Sequence, residues 1–299
     1  MTERKTHLDM LAVACLLLCC VLWGLNQVAT KLTLATVPPL TQAAIRSLGA
    51  ALLVALWARS RGISLDVRNG TLRGGVLAGL LFALEFGCIF VGLQYTSASR
   101  MVVFIYTAPF VVALGMPLVA KAERPDALQL AGLAAAFAGV AWAFAEGWST
   151  PSSRDRQWLG DALGLAGAVL WGGTTLVIRG SRLASAAPEQ TLLYQLAISG
   201  VALALAAVAG GERWPADWNL AAIGLLGYQT VIVCFASSLL WFWLIRHYPA
   251  TRLSAFTLLT PLLGLWAGVA LLDEPLTARL LAACAAVAIG IAVVNRPAR

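Results

Sequence analysis

Glu85 lies in Leu84-Glu85-Phe86, twelve residues after Arg73 and fifteen before Arg100, and is the one acid well inside a long apolar run. Holding a charge at the centre of a bilayer costs at least ~2.5 kcal/mol. Such a carboxyl faces a cavity, meets a partner, or carries a proton. Its chemistry would be to receive a substrate ammonium or a proton; the plainer alternative is a protonated carboxyl bonded to a neighbouring helix. Arg46 is the one basic residue inside a run. It could meet a substrate carboxylate or close a gate by ion pairing, or its long stem could carry the charge out to the membrane interface. Trp23 and Asn26 stand three apart and share a helix face. An indole supplies an apolar wall and a π face that attracts cations, and core packing is the alternative for each Trp. Tyr106, Ser237, Ser238 and Trp241 are the further polar and aromatic candidates for the same cavity. Pro109 and Pro261 remove backbone donors in mid-run and are expected to kink their helices, where a gate could form.

These side chains can meet only if membrane-spanning helices bring them together. Of 299 residues, 60% are hydrophobic and 12% charged, with mean hydropathy +0.81; soluble domains carry about 25% charged residues. A span needs ~20 apolar residues. Ten runs qualify: Met10–Thr30, Leu40–Ala58, Gly74–Tyr95, Met101–Ala120, Ala127–Ala145, Trp158–Ile178, Thr191–Gly210, Leu220–Ile245, Leu253–Leu272 and Ala278–Asn295. The first is too long for a signal peptide's apolar core of about 7–15 residues. With a cytoplasmic N-terminus, 14 Lys and Arg residues fall on the inner side and 6 on the outer. That bias predicts both termini inside. It also accounts for the net charge of +7 without nucleic acid.

The chain resembles itself at an offset near 150. Val21-Leu22-Trp23-Gly24 recurs as Val169-Leu170-Trp171-Gly172, and Lys31 matches Arg179. Ala98-Ser99-Arg100, followed by Pro109, returns as Ala250-Thr251-Arg252, followed by Pro261. Ala122-Glu123-Arg124-Pro125 matches Leu272-Asp273-Glu274-Pro275. Trp171, Thr174 and Thr175 are thus the counterparts of Trp23, Asn26 and Gln27, and Ser237 or Ser238 the counterpart of Glu85. The expected architecture is all-α: an N-terminal five-helix repeat over residues 1–150 and a C-terminal one over 151–299. Five is odd, so the second half must enter the membrane inverted, as in many secondary transporters. The Leu-Trp-Gly pair, the Ala-[Ser/Thr]-Arg with its proline and the Glu-containing loop together resemble the drug/metabolite transporter superfamily. Within it they resemble the EamA-type exporters, most closely the YddG-type (aromatic) amino-acid exporters. The resemblance implies ten helices in two inverted halves and substrate export.

Other function classes find little support. Cys15, Cys19, Cys20, Cys88, Cys234 and Cys284 all lie in apolar runs without metal spacing, and His7 and His247 sit at run edges. No metal or cofactor is therefore expected. A membrane-embedded enzyme would need a reactive constellation at membrane depth, and a scaffold would usually bring a soluble domain. No phosphate-binding loop occurs. A phosphate carrier would want several cavity cations. The reading is a transporter, expected as a monomer in the bacterial inner membrane. It would carry amino acids or similar metabolites by alternating access; other metabolites and cationic drugs are the alternative cargo.

Overall fold

Helices begin where a capping side chain or a proline meets an apolar run. Asp9 opens the first, its Oδ1 accepting from the Ala12 amide at 2.9 Å. Ser97 and Asn219 cap two others in the same way. Pro39 and Pro188 occupy first-turn positions, where a missing N–H costs nothing. The computed structural model describes residues 9–119, 127–149, 156–248, 253, 257 and 259–294. Its helices are α1 (Met10–Thr33), α2 (Pro39–Ser60), α3 (Leu72–Gly92), α4 (Ala98–Ile105), α5 (Ala108–Val119) and α6 (Ala127–Ser149). There follow α7 (Gln157–Arg179), α8 (Pro188–Ala209), α9 (Leu220–Gly227), a π-helical stretch (Tyr228–Ser237), α10 (Ser238–His247), α11 (Leu259–Leu272) and α12 (Ala278–Val294). Among the described residues there is no strand.

Seven segments are long and apolar enough to cross a bilayer: α1, α2, α3, α4 with α5, α7, α8, and the continuous stretch Leu220–Leu244. Three shorter apolar helices, Ala127–Ala143, Leu259–Leu272 and Ala278–Gly290, stand at the fifth, ninth and tenth expected runs. Two runs differ from simple helices. The fourth breaks at Tyr106 and Thr107, and the eighth passes through ten π-helical residues. Ala250-Thr251-Arg252 and Ala122-Glu123-Arg124-Pro125 lie outside the described residues.

Most close packing joins a helix before residue 150 to one after it. The main pairs are α1 with α11, α2 with α8, α3 with α7 and α8, α5 with α7, and α6 with α12. Leucines such as Leu52, Leu56, Leu77, Leu84 and Leu205 point outward, while Asn26, Gln42, Arg46, Ser47, Glu85 and Gln229 point inward. This inside-out distribution suits a lipid surround.

The repeated motifs are explained by contact. A Cβ on Gly24 would lie 2.9 Å from the Gly264 amide and 3.2 Å from Leu263, and one on Gly172 would lie 2.6 Å from Val111. Leu263 and Val111 each stand two residues after the prolines, Pro261 and Pro109. Each Trp-Gly pair therefore seats its glycine on the proline-bearing helix of the other half. Only glycine permits that approach.

Candidate functional site

Arg46 and Glu85 sit on adjacent helices, α2 and α3, and both are interior, at 1% and 4% exposure. The guanidinium does not run out to an interface. Its Cζ lies 3.9 Å from the Phe86 ring centroid and 5.0 Å from that of Phe90. Phe86 and Phe90 are one turn apart on α3, so both rings can hold the cation from one side. Nε and Nη2 of Arg46 and Oε2 of Glu85 are buried and make no hydrogen bond. The neighbouring-helix hydrogen bond considered for Glu85 is absent at that oxygen. Asn26 Oδ1, Gln27 Oε1, Gln42 Oε1 and Ser47 Oγ are likewise buried without a partner. Inside a bilayer each such group is expensive to leave unpaired.

The aromatic candidates form two groups. Trp23 Nε1 donates to Ser237 Oγ at 2.9 Å, and its ring meets Trp241 edge-on at 5.5 Å. Tyr106 meets Trp171 edge-on at 5.6 Å. The symmetry-matched Trp23 and Trp171 thus have different neighbours. The hydroxyls of Thr174 and Thr175 donate to the carbonyls of Leu170 and Trp171 one turn back, as Ser237 does to Val233. Ser238 makes only a long 3.5 Å contact with that same carbonyl. Pro109 does not bend a continuous helix. The chain stops at Ile105, turns through Tyr106 and Thr107, and restarts as α5 with Pro109 in its first turn. Pro261 occupies the first turn of α11. A proline without an N–H fits that place better than mid-helix.

One end of the bundle is closed by charges that sequence reading did not assign to the site. Arg100 presents Nε and Nη2 to the Asp161 carboxylate, at 3.1–3.2 Å and 2.6 Å, and Asp161 also accepts from Thr96 Oγ1 at 2.6 Å. Lys31 Nζ donates to the carbonyls of Leu93 and Thr96. Glu274 accepts from the amides of Ala98 and Ser99 at 2.8 and 2.9 Å, and from the Ser99 hydroxyl. Glu212 does the same for Leu40, Thr41 and the Thr41 hydroxyl at 2.7–3.0 Å. Each carboxylate meets the positive end of a helix from the opposite half of the chain. Just below, Gln42 Nε2 reaches Gln229 Oε1 at 3.2 Å, and Gln229 Nε2 reaches Thr33 Oγ1 at 3.2 Å. The sequence signal for these residues was available: acids opening a loop or a span, and glutamines at membrane depth.

At the other end, Tyr248 donates to Asp9, and Gln190, Thr71, Asn69 and Tyr194 form a polar cluster. A pocket of about 200 Å³, lined by Leu65, Val67, Leu193, Ala197 and Ile198 together with Gln190 and Tyr194 of that cluster, opens there. Its wall is almost wholly apolar, so it offers no charge recognition. Among the described residues no group of three His, Cys, Asp or Glu could hold a metal. The central arrangement can bind charge and dipole.

A family model described as the EamA-like transporter family matches residues 10–145 and again 158–296. The uncharacterized transporter YvbV of Bacillus subtilis is 29% identical over 277 residues, covering 92% of this chain and 88% of its own. An uncharacterized transporter of Synechocystis is 30% identical, covering 92% and 87%, and one of Archaeoglobus fulgidus is 26% identical, covering 91% of both. A solved crystal structure superimposes with a TM-score of 0.66 at 18% identity, over 94% of this chain and 96% of that one. That likeness speaks to the fold.

Proposed function

We propose, on the premise that this chain belongs to the EamA-like transporter family and is a multi-pass membrane protein, that it exports small metabolites from a bacterial cell, amino acids foremost. The route is a central pathway between two inverted five-helix halves, opened to each side in turn. Both termini are cytoplasmic and the membrane is the inner one. The single observation that carries this reading is the set of buried polar groups without partners, headed by Arg46 and Glu85. A structural core in lipid satisfies its polar atoms; a substrate path keeps some to offer.

Three further observations support the inverted halves. The family model matches twice, once on each side of residue 150. The helix pairs are nearly unchanged when helices of the two halves are exchanged in order: α1 with α11 answers to α7 with α5, and α3 with α7 to the eighth run with α1. The motif glycines Gly24 and Gly172 each seat on a first-turn proline helix of the opposite half. The charge closures at one end and the polar cluster at the other are the natural gates of such a path.

The test is uptake by proteoliposomes across amino acids, sugars, sugar nucleotides and cationic drugs. Accumulation of one or more amino acids is the expected result. If a sugar nucleotide is carried and no amino acid is, the cargo assignment fails; if nothing is carried by folded protein, transport itself does.

A further inference from the structure

Arg100 and Arg46 use their guanidinium groups differently, and the contrast is informative. The Nε–H and one Nη–H of arginine point the same way and form a fork that fits both oxygens of a carboxylate. Arg100 spends that edge on Asp161, with Nε and Nη2 both donating to it. The same edge of Arg46, Nε and Nη2, is buried and makes no hydrogen bond to the protein. Its Cζ lies 3.9 Å and 5.0 Å from the Phe86 and Phe90 ring centroids. The two rings hold the cation by π contact, while Nε and Nη2 keep their hydrogen bonds unmade.

Glu85 is the neighbouring acid, yet it does not fill that edge. No salt bridge joins the two side chains, and Glu85 Oε2 is also buried and unbonded. Two opposite charges in a low dielectric would ordinarily collapse onto one another. Here each keeps an unspent hydrogen-bonding face, with Ser47 Oγ and Asn26 Oδ1 as further unbonded groups in the interior.

Building on the transport reading above, we propose that Arg46 and Glu85 form a two-point charge receptor for a zwitterion: a carboxylate on the Nε/Nη2 edge of Arg46 and an ammonium on Glu85. The ligand class is a free α-amino acid with both termini unblocked. The occupied site then holds two paired positive and two paired negative charges, so cargo crosses without net charge from these groups. An amine lacking the carboxylate leaves Arg46 unpaired in the membrane, and an acid lacking the ammonium leaves Glu85 so. Both are rejected by the cost of a buried unpaired charge.

The experiment uses wild-type protein in proteoliposomes, so no variant has to fold. Once an amino acid is found to be carried, its amide and its N-acetyl derivative are presented as competitors and as labelled cargo. Charge-assisted hydrogen bonds lost at either end predict that each is carried at least roughly tenfold less well than the parent. Either blocked form carried as well as the parent overturns the two-point receptor while leaving amino-acid transport standing. If no amino acid is carried at all, the cargo reading fails and takes the receptor with it. Arg46→Gln and Glu85→Gln, checked for folding by thermal shift, assign the ends. Arg46→Gln should narrow the gap between amide and parent only, and Glu85→Gln the gap between N-acetyl form and parent only. Both gaps moving together in either variant contradicts the assignment.

Discussion

At the scale of single residues, the charges divide into those that are spent and those that are held open. Arg100, Asp161, Lys31, Glu212 and Glu274 are committed to protein partners; Arg46 and Glu85 keep hydrogen-bonding atoms unbonded. Neutralising Glu85 as Glu85→Gln should therefore cut amino-acid uptake by at least about tenfold at unchanged protein yield, on the strength of one charged hydrogen bond. A Glu85→Gln transporter with full activity and the same pH profile removes the residue from the mechanism. Trp23→Phe keeps the ring contact with Trp241 and deletes the hydrogen bond to Ser237. A loss of about 1 kcal/mol is expected in thermal unfolding. The sequence exposes Glu85 and Arg46 as charges in apolar runs, because nothing nearby along the chain can neutralise them. It cannot show that Phe86 and Phe90 lie under Arg46, since that contact joins two helices. Asp161 escapes notice because it stands one turn into its run, where an acid reads as a helix start.

Elements are the scale at which the internal repeat acquires a physical meaning. Trp-Gly and Pro recur together because a glycine in one half packs tightly on the helix turn beside a proline in the other. A side chain at Gly24 would press on backbone atoms of Leu263 and Gly264, which cannot step aside. Gly24→Val should cost about 1–3 kcal/mol by overpacking, read as a lower melting temperature in detergent. Gly224→Ala on α9 meets nothing within 4 Å and is the matched control; an equal loss there would deny that close approach is the cause. Glu274→Gln weakens the carboxylate that caps α4 from the other half, and should lower stability by about 1.5–3 kcal/mol. Most helix positions were legible to within a few residues from apolar length and punctuation, while the helix of the ninth run is described from Leu259 against an expected start at Leu253. The break at Tyr106–Thr107 and the π-helical stretch were not. Pro109 signals a lost donor but leaves open whether the chain bends or stops, and nothing in Leu220–Ile245 separates a π turn from an α turn.

Over the whole molecule, helices before residue 150 pack mainly on helices after it and enclose buried charge and dipole. An even number of spans places both ends of the chain on one side. Reporter fusions at residue 299 and before residue 9 should give the same cytoplasmic reading; opposite readings would mean an odd number of spans and end the inverted-repeat account. The all-helical, many-span character was readable because lipid sets the length of a crossing helix, whereas cargo depends on groups that converge only after folding. The most direct test of that convergence is thiol accessibility in a background whose six cysteines have been replaced. Cysteines are introduced one at a time at Asn26 and Ser47, which face the interior, and at Leu84, which faces outward. The account predicts that a water-soluble maleimide labels positions 26 and 47 far faster than position 84, and that a transported amino acid slows labelling at the first two only. Labelling at 26 and 47 no faster than at 84, or indifferent to the cargo, would contradict a substrate path through the centre of the molecule.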